Sequence, residues 1–290
     1  MTASTSDSAG APASAPGIVR LGDLRVRRLG FGAMRVTGRG VWGPPADRAD
    51  ALRVLRRAVE LGVDLIDTAD SYGPGVSEEL IAEALAPYPQ GLVIATKGGL
   101  TRPGPGEWRR DGRPAHLRTA CEASLKRLRT ERIDLYQLHS PDPRVPLADS
   151  LGALVELQRA GKIRHIGISN VNAGELKLAR SVAAIVSVQN RYNFTDRTSD
   201  PVLDACARDG IAFLPWYPLA AGSHATAADR AVAEVAARHQ AAPAQVAIAW
   251  LLARSPVMLP IPGTASLAHL EENMQAARLT LSAADRAALG

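Results

Sequence analysis

From residue 18 onward the chain alternates short runs rich in β-branched residues with longer amphipathic stretches. Eight runs read as strands: LGFGAM (29–34), VDLIDTA (63–69), LVIATK (92–97), IDLYQLH (133–139), IRHIGIS (163–169), AIVSVQ (184–189), IAFLPWY (211–217) and VMLPIPG (257–263). Between them apolar residues recur with helical spacing, as at 51, 52, 54, 55, 58, 59 and 61 in ADALRVLRRAVELG (49–62), which predicts a helix with one buried face. Every gap between strands holds such a segment. A further helix is predicted at PAQVAIAWLLA (243–253) in the last gap, and another after the final strand at LAHLEENMQAA (267–277). Strands alternating with helices, with no break in composition, predict an α/β fold: a single (β/α)8 barrel over residues 18–290. The competing doubly wound sheet is disfavoured, because the first strand runs GFGAMR and no GxGxxG follows it. Ahead of the barrel, IVRLGDLRVRRLG (18–30) carries a Gly-Asp turn and reads as a β-hairpin plugging the barrel's N-terminal end. Residues 1–17, MTASTSDSAGAPASAPG, have the Ala/Ser/Pro composition of a disordered tail.

Composition narrows the function classes. With 46% apolar and 22% charged residues, the chain can bury a sizeable core and is neither disordered nor disulfide-stapled. The 34 basic residues against 29 acidic ones leave a charge of +5 spread along the chain, without a basic cluster interleaved with aromatics or zinc-finger spacing, so no nucleic-acid partner is expected. Two cysteines without a CxxC pair indicate free thiols in a reducing compartment, and no metal site is expected. The N-terminus lacks the basic and apolar regions of a secretory signal, and the longest apolar run is too short to cross a bilayer. The expectation is a soluble, cytoplasmic monomer that acts on a small molecule.

In a (β/α)8 barrel, chemistry belongs at the C-terminal ends of the strands. Strand two ends in Asp67, strand three in Lys97 and strand four in His139, with Tyr72 five residues beyond Asp67. Strand alternation puts Val63, Leu65 and Asp67 on one face, with Val93, Ala95 and Lys97, and Ile133, Leu135, Gln137 and His139, on the matching faces. Any one of these residues has an ordinary structural explanation, as a loop carboxylate, a strand-end lysine or a core histidine. Four together on the catalytic rim point to one site. Only four of the basic residues are lysines (97, 126, 162 and 177), which makes a lysine at this rim more informative still.

The segments DTADSYG, TK after the third strand, LHSPDP, GISN and VQNRYN occur in this order along the chain. Together they resemble the signature segments of the aldo-keto reductase superfamily, and the resemblance covers about residues 18 to 280. It implies that Asp67, Tyr72, Lys97 and His139 are the catalytic tetrad of an NAD(P)H-dependent carbonyl reductase. The chemistry of the residues agrees. A carbonyl needs a hydride at carbon and a proton at oxygen. Tyrosine, with a pKa of about 10, is a weak acid for this task, and the Lys97 cation is expected to favour its phenolate and bring its pKa toward the working range. Asp67 would hold the ammonium in place, while a neutral His139 would donate a hydrogen bond to the carbonyl oxygen.

By the same resemblance Ser169, Asn170 and Gln189 meet the nicotinamide carboxamide and Trp216 stacks on its ring. Gly32, Met34, Tyr217, Pro218 and Leu219 complete the cofactor contacts, although the family often has serine where this chain has Tyr217. Gly263, Thr264, Ala265, Ser266 and His269 would face an adenosine 2′-phosphate, and Glu272 and Asn273 the adenine. Relatives usually place Lys or Arg in this loop or at the position of His269, and this chain has neither. The resemblance implies NADPH as the cofactor all the same, with reduced discrimination against NADH, which stays possible, because a fixed cation is missing. Met34, Trp42 and Trp108, with Tyr72 and His139, are expected to line the substrate pocket. The chain stops soon after its last helix, so the loops after strands one, three, four and seven should shape that pocket. FGAMRVTGRGVWGPP and IPGTASLAHLEENM look most like the pyridoxal-reductase branch, which makes pyridoxal the first candidate substrate. Two other functions fit parts of the pattern: a Schiff-base aldolase using Lys97, and a non-catalytic nicotinamide-binding subunit.

Overall fold

A computed structural model describes residues 17–219 and 227–290. Gly22, with φ +64°, and Asp23 turn the chain between β1 (Ile18–Leu21) and β2 (Leu24–Arg27), which pair antiparallel. Glycine suits that left-handed position, and the imidazole of His165 fills the space where a Cβ would stand. Val19, Leu21 and Val26 on the hairpin pack with Leu65, Val93, Ala95, Leu135, Ala212, Leu214, Leu259 and Ile261. This is the inner core of the barrel, and the hairpin plugs it as the sequence predicts. Residues 1–16 of the expected tail, and residues 220–226 of the loop after the seventh barrel strand, lie outside the described residues.

The barrel strands are β3 (Phe31–Gly32), β4 (Leu65–Asp67) and β5 (Val93–Gly98), then β8 (Ile133–Leu138), β9 (Ile163–Ser169), β10 (Ile185–Arg191) and β11 (Ala212–Trp216). They lie side by side in chain order and all parallel. Two short strands, β6 (Leu100–Thr101) and β7 (Arg109–Arg110), form a small antiparallel ribbon in the loop after β5. The predicted eighth strand is present only as a bridging segment. Val257 O accepts from Phe213 N, and Leu259 N donates to Phe213 O, on the β11 side. On the other side Gly30 N and Gly32 N donate to Pro260 O and Pro262 O, at 2.9 and 3.4 Å. The two prolines have no N–H to return, so the ring closes without a regular strand there.

Helices α1 (Arg48–Glu60), α2 (Val76–Leu85), α3 (Pro114–Leu128), α4 (Leu147–Arg159), α5 (Ala173–Val182) and α6 (Asp200–Asp209) follow the first six barrel strands. Next come α7 (Ala227–His239), α8 (Pro243–Arg254), α9 (Leu267–Gln275) and α10 (Ala283–Leu289), the last unforeseen in the sequence. Their starts follow local chemistry. Asp47 accepts from Asp50 N ahead of α1, Asn172 and Glu175 form a reciprocal cap on α5, and α3, α6 and α8 carry proline in their first turn. Phe31, Ile66, Ile94, Tyr136, Ile166, Val188 and Phe213 face the helices. Val63 and Ile133 also join this outer layer, which corrects their expected place on the inner faces. They sit at or before the strand starts, where the alternation is not yet set. The fold is a (β/α)8 barrel.

Candidate active site

The loop after β4 is folded by its own backbone. Thr68 N donates to Ala95 O, Asp70 N to Lys97 O and Tyr72 N to Ala69 O, which holds the loop over the ends of β4 and β5. Gly73 and Gly75 then turn the chain into α2 at φ +80° and +81°. A Cβ on Gly73 would stand 2.6 Å from that of Val76. Lys97 Nζ, fully buried, donates to Asp67 Oδ2 and Thr68 O at 2.7 Å each and lies 3.4 Å from Tyr72 Oη. Asp67 Oδ1 accepts from Gln189 Nε2 at 2.8 Å and from Gln137 Nε2 at 3.2 Å. Ser187 Oγ in turn donates to Gln137 Oε1 at 3.3 Å. The carboxylate is thus saturated, as a buried charge requires.

Burial works against the Lys97 charge, but Asp67 and Tyr72 more than offset it and hold its pKa above the ordinary lysine value. For Tyr72 the balance differs from the sequence expectation. Burial raises the phenol's pKa, Lys97 lowers it, and the net direction is upward. Tyr72 is therefore a firmly protonated phenol. His139 meets Tyr72 edge-on, with ring centroids 5.8 Å apart. Burial, and then the Lys97 charge, hold its pKa well below the ordinary histidine value, so the imidazole is neutral. The His139 backbone is fixed from two sides, its N–H on Gly98 O at 2.8 Å and its carbonyl accepting from Asn170 Nδ2 at 2.9 Å.

These groups open onto a cavity of about 480 Å³ at the C-terminal ends of the strands. Asp67, Tyr72 and His139 reach its wall, while Lys97 is not among the lining residues. Gly32, Met34, Ser169, Asn170, Gln189, Trp216, Tyr217, Pro218, Leu219, Gly263 and Trp108 also line it. The amide residues are already wired together: Ser169 Oγ donates to Gln189 O at 2.6 Å, and Trp216 Nε1 to Asn170 Oδ1 at 2.9 Å. Gln189 Nε2 is engaged by Asp67, which leaves its Oε1 as an acceptor for a ligand. A flat indole beside two amide side chains and a buried acid–base cluster fits a planar heteroaromatic ring bearing a carboxamide. Gly32 and Gly263 have a second reason to be glycine. A Cβ on Gly32 would stand 2.6 Å from Ile261 O, and one on Gly263 would stand 2.3 Å from Gly32 O, so both permit the ring to close.

Other expected site residues lie elsewhere. Trp42 is not in the cavity wall; its ring faces the guanidinium of Arg102 at 5.5 Å. Thr264, Ala265, Ser266, His269, Glu272 and Asn273 lie outside the cavity, on the loop into α9 and its first turns. Ser266 caps that helix, accepting from His269 N, and its own N–H donates to Thr264 Oγ1 at 3.0 Å. His269 is exposed, Glu272 half-buried and Asn273 buried. Sequence reasoning missed Leu100 and Arg35 in the wall, Gln137 under Asp67, and Ser71 and Arg102 behind the tetrad. Ser71 lay inside a motif already singled out. Arg102 had no signal among so many arginines.

Residues 28–289 match the sequence profile described as the Aldo/keto reductase family. The chain belongs to this family. This aldo/keto reductase is an NAD(P)H-dependent oxidoreductase. It is 48% identical over 279 residues to an uncharacterized oxidoreductase of Schizosaccharomyces pombe, a match covering 96% of this chain and 90% of that protein. It is also 45% identical over 269 residues to pyridoxine 4-dehydrogenase of Escherichia coli, covering 90% and 93% of the two chains. An aldo/keto reductase from Klebsiella pneumoniae, solved with NADP and acetate, superposes with a TM-score of 0.78 at 27% identity, covering 91% of this reductase and 90% of the other. Among the described residues no helix is long and apolar enough to cross a membrane, and no cluster of three or more His, Cys, Asp or Glu could hold a metal.

Proposed function

We propose that this reductase converts aromatic aldehydes, pyridoxal first among them, to the corresponding alcohols with NADPH as the preferred cofactor. The observation that carries the reading is the Lys97–Asp67–Tyr72–His139 cluster opening into a cavity walled by Trp216, Trp108 and Met34. The similarity to a pyridoxine 4-dehydrogenase supports the choice of substrate. The reduced nicotinamide, when bound, supplies the hydride. Tyr72 gives its phenolic proton to the carbonyl oxygen in reduction and takes it back in oxidation. A protonated phenol suits the first role, and Lys97 stabilises the phenolate left behind. Asp67 keeps the ammonium charged and in place, and His139 donates a hydrogen bond to the same carbonyl oxygen. Ser169, Asn170 and Gln189 would hold the carboxamide, and Trp216 would stack on the ring. Thr264, Ser266 and His269 would receive the 2′-phosphate, and Glu272 and Asn273 would meet the adenine.

A lysine donating to Asp67, Thr68 O and the Tyr72 hydroxyl is an ammonium, which speaks against a Schiff-base aldolase. Retention of all four tetrad residues speaks against a non-catalytic subunit. The test is NADPH consumption, followed by absorbance, over a panel of pyridoxal, aromatic aldehydes and small ketones, with wild-type enzyme and Tyr72→Phe. Turnover of pyridoxal by the wild type and its loss in Tyr72→Phe are expected, with NADPH affinity nearly unchanged. No turnover of any carbonyl, or full turnover by Tyr72→Phe, would overturn the reading.

A further inference from the structure

Ser71 directly precedes Tyr72, and its hydroxyl oxygen lies 3.3 Å from His139 Nδ1. Both residues are buried, at 2% and 7% exposure. A neutral imidazole carries a single proton, on Nδ1 or on Nε2, and the partner of one nitrogen decides the state of the other. The two arrangements are not equivalent here. If Nδ1 held the proton, it would donate to Ser71 Oγ, and the serine O–H would need another acceptor. Among the described residues His139 Nδ1 is the only hydrogen-bond partner of the Ser71 side chain. A buried hydroxyl proton without an acceptor is costly. Nε2 would then present a lone pair toward the cavity that His139 lines, and a carbonyl oxygen would be repelled from it. If Ser71 donates to Nδ1, the hydroxyl is satisfied and the ring proton moves to Nε2.

We propose that Ser71 is a positioning residue that selects the tautomer of His139, donating to Nδ1 so that Nε2–H faces the cavity as the donor to the substrate oxygen. The inference rests on the reading of His139 as that donor and adds what prepares it before any ligand arrives. The residue is also held at its backbone, where the Ser71 carbonyl accepts from Arg102 Nη1 at 3.4 Å. The low pKa of His139 supports the argument, since a neutral ring is the form in which a tautomer has to be chosen.

Long-range proton–nitrogen spectra of ¹⁵N-histidine-labelled enzyme read the tautomer directly, without cofactor or turnover. His139 is assigned by the signals lost in His139→Asn. A pyridine-type Nδ1 and a pyrrole-type Nε2 are expected in the wild type, and the reverse pattern would overturn the proposal. In Ser71→Ala the Nδ1–H form should appear and kcat should fall about tenfold to a hundredfold, while NADPH binding stays nearly unchanged. Ser71→Thr, which keeps the hydroxyl, should restore both the spectrum and the rate. An unchanged tautomer and kcat in Ser71→Ala, or a Ser71→Thr enzyme as impaired as Ser71→Ala, would also overturn it. Full turnover in His139→Asn would instead defeat the role given to His139, and the wild-type spectrum separates the two failures.

Discussion

Lys97 Nζ and Asp67 Oδ2 meet at 2.7 Å with side-chain exposures of 0% and 3%, brought together from adjacent parallel strands. Such a pair costs desolvation on both sides, and it survives because the ammonium has three partners and the carboxylate accepts from Gln137 and Gln189 as well. Removing one partner leaves the other charged and buried. Lys97→Met should therefore destabilise the fold by about 3–5 kcal/mol, measured by chemical denaturation, as well as removing turnover. The double variant Lys97→Met/Asp67→Asn should recover part of that loss. The pH dependence follows from the raised pKa of Lys97. Its contribution is complete below the unfolded lysine value of about 10.4 and disappears only as pH rises through the higher folded value. Between about pH 7 and 9 that contribution is full and constant, so this group should add no slope to stability against pH.

His139 gives the opposite sign. Its folded pKa lies well below the unfolded value of about 6.5, so the unfolded chain takes up a proton first as pH falls. Stability contributed by the neutral ring is thus present above about pH 6.5 and declines below it. Activity behaves differently from stability here, because the folded enzyme keeps the ring neutral throughout that range. The profile of kcat/KM against pH should show no inflection near 6.5. An acid limb there that vanishes in His139→Asn would contradict the assignment of a neutral imidazole.

Much of this site was legible because barrel geometry filters residues by strand end. Asp67, Lys97 and His139 sit on the rim for the reason that strand alternation supplies, and Tyr72 follows from the loop that links the first of these strands to α2. Alternation was less reliable at the strand starts, where Val63 and Ile133 turned to the helix layer. The eighth strand was readable as an extended apolar run, yet Pro260 and Pro262 withhold the donors that a ladder needs. Trp42 was misplaced for a different reason. An aromatic in a loop can face the cavity or brace the loop, and the choice here depends on Arg102, sixty residues away and without periodic signal.

Arg102 is that brace. Its guanidinium is 3.8 Å from the centroid of Trp108, and it donates to Val41 O and Glu107 O at 2.9 and 2.7 Å, with Gly40 O and Ser71 O also within reach. One side chain thereby ties together the loops after β3, β4 and β5, and sets Trp108 edge-on to Tyr72 at 6.5 Å. Arg102→Met should raise KM for the carbonyl substrate about tenfold, the scale of one or two charge-assisted hydrogen bonds, while leaving NADPH affinity nearly unchanged. Arg102→Lys should recover little, because an ammonium cannot present the planar fork or stack on the indole. Steady-state kinetics with separate cofactor titration decides this. Equal losses for cofactor and substrate would show that Arg102 supports the barrel rim as a whole.

The loop into α9, proposed above to receive the 2′-phosphate, carries hydroxyl groups, backbone amides and the exposed His269, but neither Lys nor Arg among residues 263–273. Helix N-termini attract anions, but a fixed cation adds a charge-assisted contact worth several-fold in affinity. The wild type should bind NADPH more tightly than NADH by a modest factor, read by quenching of tryptophan fluorescence. His269→Arg should widen the gap about tenfold by strengthening NADPH binding alone, since NADH carries no phosphate there to contact. Because His269 is exposed and Ser266 already caps the helix through the His269 backbone, this substitution should leave stability unchanged. Equal or tighter binding of NADH by the wild type would remove the NADPH preference, and a His269→Arg enzyme that binds both cofactors more tightly by the same factor would place the 2′-phosphate away from this turn.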